Sequence, residues 1–377
     1  MSRKILIAPN AFKHSLSAIE VANIIKSSLD SLDFNLHTEI APIADGGDGT
    51  IDVLNFYFKK SKFIKANVHD PLMRNIESKW LFLDNETAVI ELAKASGISL
   101  LKENELNPLW ANTFGTGELI LSALDKGCRK IIIALGGSAT IDAGLGIFLA
   151  LGGKLFDKNK HPLKAGGGFL SSIEKIDLSS LDKRIKKVKL QVLCDVQSTL
   201  IGKRGTINFS NQKGAKEGEK VVLELGMKHY ADLVRKITGF DCEMESMVGA
   251  AGGVAFSLKV FFNAELFGGF SYLARMISLE EKIKNFDVIV SGEGSLDSQT
   301  LMGKAVCELS KLTSKYRKKL IAFCGNYEKN INWAEYNIAD IIQIRPDEMS
   351  IAESILNTRD LIEKSVRNSY KLFVNSL

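Results

Sequence analysis

The sequence predicts an α/β protein in which a doubly wound parallel-sheet domain carries a large inserted mixed α/β domain. Three observations lead to this prediction. Short apolar strands alternate with amphipathic helices near both ends of the chain, whereas the middle carries closely spaced strands separated by turns. The third observation is the length of 377 residues, which is typical of two domains, and the composition, 45% hydrophobic and 25% charged, is that of an ordinary globular protein.

Five apolar runs near the two ends of the chain have the pattern of buried parallel strands. They are residues 4–8, 40–43, 286–290, 320–323 and 341–344. A capping box at Ser17–Glu20 predicts a helix after the first run, and a second capping box at Ser350–Glu353 predicts a final helix. We therefore predict one discontinuous doubly wound domain made of residues 1–58 and 282–377.

The middle of the chain, residues 59–281, is predicted to form the inserted mixed α/β domain. Its predicted strands are residues 63–68, 76–83, 87–92, 130–134 and 190–193. Turn residues at Asp70-Pro71 and Asp84-Asn85 separate the first three, so we expect those three to be antiparallel. After the last of these strands we predict helices up to about residue 281.

Charge and composition argue against several classes of function. The net charge is +5, but the basic clusters lie beside apolar runs with few aromatic residues, which disfavours nucleic acid as a partner. The longest nearly uncharged stretch, residues 135–153, contains Asp142 and six glycines and is a poor membrane span. The five cysteines form no C-x-x-C pair, and the first apolar run is too short for a secretory signal. We expect a cytoplasmic protein without a membrane partner, and the sequence leaves the oligomeric state open.

Polar, glycine-rich segments follow the predicted strands in both domains, and ligands of doubly wound sheets bind beyond the carboxyl ends of the strands. In the first domain these segments are residues 10–15, 45–50, 292–299 and 324–326. In the inserted domain they are residues 136–140, 194–196 and 212–214. Glycine-rich loops expose N–H groups to phosphate, lysines neutralise its charge and carboxylates hold Mg²⁺, so the pattern favours phosphoryl transfer in an interdomain cleft. Neither a Walker A sequence nor a protein-kinase H-R-D motif occurs.

The string APNAFKHSLSA at residues 8–18, followed by PIADGGDGT at residues 42–50, resembles the bacterial type I glycerate kinases. Further matches along the chain are GTGELI at 115–120, GGSAT at 136–140, CDV at 194–196, QKGA at 212–215, GAAGG at 249–253, and SGEG at 291–294 with DSQT at 297–300. The resemblance implies ATP- and Mg²⁺-dependent phosphorylation of D-glycerate to phosphoglycerate, at the 2-hydroxyl. It also implies a flavodoxin-like domain with an unusual mixed α/β insertion.

The resemblance and the loop positions together select the candidate site residues. The catalytic candidates are Asp195, Asp45 and Lys13. The substrate-binding candidates are Asn10, Lys13, Ser15, Asp45, Gly46, Glu293, Ser295 and Asp297. The candidates for binding the cofactor ATP are Thr116, Gly136, Gly137, Ser138, Ala139, Thr140 and Lys213, and those for Mg²⁺ are Asp195 and Asp297. Asp195 is the first choice for the base that takes the substrate proton, with Asp45 and Asp297 as alternatives.

Some of these segments also have simpler interpretations, and some depart from the family. The role of the loop 136–140 could be simply to cap the following helix. The segment 249–253 is better explained by tight backbone packing than by phosphate binding. The family usually has aspartate at Asn10, asparagine at Ile141 and arginine at Ser295. Without that arginine we expect weaker glycerate binding unless Lys13 or another cation substitutes. The alternatives are therefore a kinase for another small hydroxy acid and a non-catalytic binding protein.

Overall fold

The computed structural model describes residues 3–194, 196–298 and 300–374. The strands are β1 (Lys4–Ile7), β2 (His37–Ile40), β3 (Lys62–His69), β4 (Asn75–Phe82), β5 (Thr87–Glu91), β6 (Lys130–Ala134), β7 (Lys154–Phe156), β8 (Lys175–Asp177), β9 (Lys189–Cys194), β10 (Glu265–Gly268), β11 (Val288–Leu296), β12 (Lys319–Tyr327) and β13 (Asp340–Gln343).

The α-helices alternate with these strands along the chain. They are α1 (Ala18–Leu32), α2 (Thr50–Tyr57), α3 (Ala93–Ser96), α4 (Phe114–Asp125), α5 (Leu145–Ala150), α6 (Glu217–Thr238), α7 (Ala250–Phe262), α8 (Gly269–Met276), α9 (Leu279–Lys284), α10 (Ala305–Lys315), α11 (Ile351–Leu356), α12 (Thr358–Asn368) and α13 (Tyr370–Val374). Among the described residues no helix is both long and apolar enough to cross a bilayer.

The chain divides into two compact units. Unit 1 comprises Met1–Asp45, Asp52–Tyr57 and Gly269–Leu377, and unit 2 comprises Gly46–Ile51 and Phe58–Gly268. The domain boundaries predicted from sequence, residue 58 and residue 282, stay a prediction. The bounds of the two units differ from the predicted domain boundaries in two places. Residues 46–51 belong to unit 2, and α8 and α9 belong to unit 1 because they pack against α10.

Unit 1 is built on a five-stranded sheet in the order β13-β12-β11-β1-β2, with every neighbouring pair parallel. Numbered within the sheet, this is the flavodoxin-like order 2-1-3-4-5 of doubly wound folds. One face packs against α1 and α12 through residues such as Ile5, Val290 and Phe323. Both faces of a parallel sheet are covered in this way, which explains why its strands read as continuous apolar runs in the sequence.

Unit 2 contains a mixed six-stranded sheet in the order β10-β9-β6-β5-β4-β3. The predicted antiparallel strands are present as β3, β4 and β5, and β5, β6, β9 and β10 run parallel. The expectation of helices alone between β9 and residue 281 is wrong, because β10 forms the sheet edge there. That strand has four residues and ends in Gly268, so it is too short to show a strand period. The short β7–β8 hairpin escaped sequence analysis for the same reason.

The glycine-rich segment 249–253 packs tightly against the loop 136–140. A Cβ atom at Gly252 would lie 2.1 Å from the carbonyl oxygen of Thr140, and one at Gly249 would lie 2.0 Å from that of Thr199. Gly252 also has a φ of 71°, which glycine adopts without steric penalty. Close backbone packing therefore accounts for these glycines, and it holds the 136–140 loop in place.

Asp142 is fully buried next to that loop and accepts four hydrogen bonds. Its Oδ2 accepts from the Thr113 N–H at 2.9 Å, the Thr113 hydroxyl at 2.8 Å and the Gly146 N–H at 3.0 Å. Its Oδ1 accepts from the Gly144 N–H at 3.0 Å. Burial raises the pKa of Asp142, and these four donors act in the opposite direction. The carboxylate thus joins the start of α4 to the start of α5.

Replacing Asp142 with asparagine is expected to destabilise the protein. Both Asp142 oxygens accept hydrogen bonds, and an asparagine would replace one of them with an NH₂ group, which cannot accept and would face another donor. The loss is on the order of 1–3 kcal/mol, the penalty for a buried group without its partner. Urea unfolding followed by circular dichroism measures it. The matched control Asp241→Asn removes an exposed carboxylate paired with Arg235, and it is expected to change the unfolding midpoint little. Equal midpoints for the two variants would contradict a bridging role for Asp142.

Candidate active site

The carboxyl ends of the unit 1 strands bring polar side chains to one face of the sheet. Glu293 pairs in register with Cys324, and Ser295 pairs with Asn326. Residues in register on parallel strands point to the same face, and residues two apart along a strand do so as well. These four side chains therefore share the face opposite α1 and α12, at the edge where doubly wound sheets bind ligands.

Asn10 and Asp45 meet at the same edge. The Asn10 side-chain Nδ2 donates to the Asp45 Oδ2 at 3.1 Å, and the Asn10 backbone N–H donates to the Gly292 carbonyl at 2.8 Å. Asn10 is buried. An aspartate here, as in the family pattern, would face Asp45 with a second negative charge. The Asn10 amide instead donates a hydrogen bond to Asp45 and thereby orients the Asp45 carboxylate.

Glu293 is a buried carboxyl group at the end of β11, and its environment raises its pKa to about 7. Burial is the main cause, and the negative charge of Asp45 adds to it. The positive charges of Lys304 and Lys13 and a hydrogen bond from Thr300 act in the opposite direction. Within the described part of the chain its Oε1 has no hydrogen-bond partner. Glu293 is therefore suited to accept or hold a proton near neutral pH.

Other candidates of unit 1 have more ordinary surroundings. Lys13 is exposed, and the Ser15 hydroxyl donates to the Ile355 carbonyl at 2.9 Å. Asp297 Oδ1 accepts from the Thr300 N–H at 3.1 Å and lies 3.6 Å from the Lys304 Nζ. Ser295 is exposed. The substrate-binding roles of these residues stay predictions.

Lys213 forms the centre of a polar cluster in unit 2. Its buried Nζ donates to the Ser138 hydroxyl and to the Thr140 carbonyl, each at 2.7 Å. The Thr140 hydroxyl and the Ser210 hydroxyl are buried, and neither has a hydrogen-bond partner among the described residues. A buried ammonium group beside unsatisfied hydroxyls is the kind of arrangement that an anion completes.

The backbone of the 136–140 loop is used internally. The Gly136 N–H donates to the Gly46 carbonyl at 3.1 Å, and the Ala139 N–H donates to the Ser96 carbonyl at 3.0 Å. Gly137 accepts at its carbonyl from the Ile98 N–H at 2.9 Å. The Lys213 ammonium and the Thr140 hydroxyl, more than the loop amides, are therefore the groups that could hold a phosphate here. The idea that the loop only caps the following helix is wrong, because α5 begins at Leu145 with Gly144 as its N-cap.

Thr116, predicted to bind ATP, is used for packing, and Asp195 cannot be placed. The Thr116 hydroxyl is buried against the Ser96 hydroxyl at 2.7 Å, so it supports packing under the loop. Asp195, the first choice for the base and a predicted metal ligand, lies outside the described residues. Sequence reasoning missed Lys304 beside Glu293 and Arg345 beside Asn326. For Lys304 a signal was available, since it stands four residues after the matched DSQT string.

The fold and the candidate site describe a two-unit α/β protein with a flavodoxin-like sheet, a buried carboxyl group at the carboxyl ends of its strands and a buried lysine in the second unit. The model of the "Glycerate kinase family" matches residues 5–374. The chain is 36% identical over 368 residues to the glycerate kinase of Bacillus subtilis (strain 168), covering 97% of this chain and 96% of the relative. It is equally similar, with the same coverage, to the glycerate 2-kinase of Escherichia coli (strain K12).

A crystal structure from Salmonella typhimurium LT2, described as a glycerate kinase 2, superposes with a TM-score of 0.80 at 31% identity. The superposition covers 98% of this chain and 97% of the Salmonella typhimurium chain. The chain belongs to the glycerate kinase family. The predicted family and fold class are thereby confirmed, as is the prediction of an enzyme that transfers phosphoryl groups to an alcohol.

Proposed function

We propose that this protein transfers the γ-phosphoryl group of ATP to the 2-hydroxyl of D-glycerate, giving 2-phosphoglycerate and ADP. Family membership supports glycerate as the acceptor, and the similarity to the glycerate 2-kinase of Escherichia coli supports the 2-position. The observation that carries the proposal is the buried Glu293 beside Asp45, at the edge of the sheet where ligands bind. The predicted cleft between the two domains stays a prediction.

Glu293 acts as the proton acceptor in this proposal. As the glycerate oxygen bonds to the γ-phosphorus, its proton passes to the Glu293 carboxylate, and the bond between the γ-phosphorus and the bridging oxygen of ADP breaks. Asp45, held by Asn10, accepts a hydrogen bond from a glycerate hydroxyl and orients it. Asp195 stays the competing choice for the proton acceptor, and the kinetics of Glu293→Gln and Asp195→Asn separate the two.

Lys213 and Thr140 are the residues that bind ATP phosphates in unit 2. The ammonium group neutralises phosphate charge, and the Thr140 hydroxyl finds in a phosphate oxygen the hydrogen-bond partner that the described residues do not give it. Because both groups are buried, their electrostatic effect on a bound phosphate is larger than it would be in water.

Mg²⁺ would be held by carboxylate oxygens, the ligands that this ion prefers. Asp297 supplies such a carboxylate, and it is half-buried. Its Oδ1 lies 3.6 Å from the Lys304 Nζ, which is beyond hydrogen-bond distance. Asp195, the other predicted ligand, lies outside the described residues. When bound, the ion would neutralise charge on the ATP phosphates.

The proposed reaction is tested by incubating the purified protein with ATP, Mg²⁺ and D-glycerate and following the products by ³¹P NMR. We expect ADP and 2-phosphoglycerate in equal amounts, and neither ADP nor a phosphate ester from 3-hydroxypropionate, which lacks the 2-hydroxyl. A 3-phosphoglycerate signal would correct the position of transfer. Turnover of another hydroxy acid in place of glycerate would favour a different kinase, and ligand binding without turnover would favour a non-catalytic protein.

A further inference from the structure

Arg345 lies just beyond β13, at the same edge of the unit 1 sheet as Glu293. Cys324 on β12 pairs in register with Gln343 on β13, and the Ile344 N–H donates to the Cys324 carbonyl at 2.8 Å. Arg345 stands two residues after Gln343, as Asn326 stands two residues after Cys324. It therefore continues the pairing by one step and points to the same face of the sheet.

A row of three residues results across neighbouring strand ends. Ser295 at the end of β11 pairs with Asn326 on β12, and Arg345 follows next to Asn326. Neighbouring strands lie about 4.8 Å apart, so the Cα atoms of Ser295 and Arg345 are ~10 Å apart. The guanidinium group leans back across this distance, because its Nη2 donates to the Asn326 Oδ1 at 3.4 Å.

The guanidinium group has donors to spare on the side that faces Asn326. Its Nη1 donates to the Met349 carbonyl at 2.6 Å, whereas the bond of Nη2 is long and Nε is buried without a hydrogen-bond partner among the described residues. Nε and Nη2 form one edge of a planar fork, and this edge matches the two oxygens of a carboxylate. A buried cationic N–H without a partner is unfavourable, and a bound carboxylate would remove that penalty.

We propose that Arg345 binds the carboxylate of glycerate, taking the place of the arginine that the family pattern has at Ser295. This inference rests on the proposed function. With the carboxylate on Arg345 beside β12, the 2-hydroxyl one carbon away lies toward β11, which carries Glu293. Ser295, which is short, neutral and exposed, places no charge beside Arg345. Asp347, the nearby acid, is already bound to Lys329 at 3.0 Å and to Gln343 at 2.8 Å.

The first test compares Arg345→Gln with the parent enzyme. We expect the KM for D-glycerate to rise by about 10- to 100-fold, the effect of losing a charge-assisted pair, with the KM for ATP unchanged. Arg345→Lys is expected to recover part of this loss. Phosphorylation of glycerol, which has no carboxylate, is expected to be equally slow in both enzymes. A purely structural role in the loop before α11 would change both acceptors together.

The second test moves the cation. In the Arg345→Gln background, Ser295→Arg is expected to restore the KM for D-glycerate to within a few fold of the parent value. The control Lys364→Gln, which removes an exposed cation on α12, is expected to leave the KM unchanged. An unchanged KM in folded Arg345→Gln protein that still turns over glycerate would overturn the inference about Arg345 and leave the proposed function intact.

A parent enzyme that does not phosphorylate D-glycerate would instead contradict the proposed function. Calorimetric titration with D-glycerate then decides about Arg345. Binding by the parent protein that is lost in Arg345→Gln would support the carboxylate site without turnover. Equal binding by both proteins, or binding by neither, would overturn it. Circular dichroism and the unfolding midpoint confirm that each variant is folded.

Discussion

The substitution Glu293→Gln is expected to lower kcat by at least about 100-fold, because a positioned base contributes that much to proton transfer. The amide has the same shape but cannot accept the glycerate proton. In the parent enzyme, kcat/KM is expected to rise with pH through about 7, since Glu293 must be ionised to act and its pKa is about 7. Steady-state kinetics between pH 5.5 and 9 measure this rise, which is expected to be absent in Glu293→Gln.

Stability provides the control for this variant. The pKa of Glu293 is raised from 4.5 to about 7, so the folded protein is destabilised by the buried charge once the pH exceeds about 7, and not below about 4.5. Glu293→Gln is therefore expected to be more stable than the parent at pH 8. Because one pKa unit corresponds to about 1.4 kcal/mol, the gain is on the order of 3 kcal/mol. A variant that is more stable but inactive has lost chemistry, not its fold.

Two further variants complete the experiment. Glu335→Gln, which changes an exposed glutamate, is expected to keep the parent kcat and pH profile. Asp195→Asn separates the competing assignments. If Asp195 takes the proton, Asp195→Asn loses at least about 100-fold in kcat, while Glu293→Gln keeps most of its activity and its profile. That result would move the base from Glu293 to Asp195.

The second large effect is expected for Lys213→Met, which keeps the length of the side chain and removes its charge. Loss of a buried group that stabilises phosphate charge lowers kcat/KM for ATP by about 10²- to 10³-fold. Glycerate binding measured by calorimetry is expected to be unchanged. The control Lys228→Met removes an exposed lysine on α6 and is expected to have no effect on either ligand.

Lys213→Met also leaves the Ser138 hydroxyl and the Thr140 carbonyl without their donor, so a milder variant is needed. Thr140→Val removes a buried hydroxyl that has no hydrogen-bond partner among the described residues. Its stability is therefore expected to be equal to or higher than that of the parent, while kcat/KM for ATP falls by roughly 10-fold. A fall in stability with unchanged ATP kinetics would show that Thr140 supports packing and not phosphate binding.

The sheet of unit 1 was predictable because parallel strands buried on both faces form apolar runs. The segments that follow those strands were predictable for the same reason, and they include Asn10, Asp45 and Glu293. Their contacts were not. The hydrogen bond between Asn10 and Asp45 joins the segments that follow β1 and β2. These segments are close because β1 and β2 are neighbours in the sheet, and the sequence does not show the strand order.

Other features gave no local signal. Arg345 belongs to no glycine-rich loop, and its place in a row with Ser295 follows only from the register of β11, β12 and β13. The internal use of the Gly136 and Ala139 amides depends on carbonyls from Gly46 and Ser96, which no pattern in 136–140 could indicate. Long-range contacts of this kind decide which atoms of a loop are left for a ligand.

The strand order of unit 1 also determines when this protein can fold during its synthesis. β1 pairs with β11 through Ile5 and Val288, which are far apart in the sequence, whereas all strands of the unit 2 sheet lie between Lys62 and Gly268. Domains fold as units while the chain emerges, and pairing between distant segments is slow. Once Gly268 has emerged from the ribosome, unit 2 is complete, while the apolar β1 still lacks its neighbour β11. β1 leaves the ribosome before the strands of unit 2 but completes its pairing after them, so binding by a chaperone during synthesis is expected at β1 and not at unit 2.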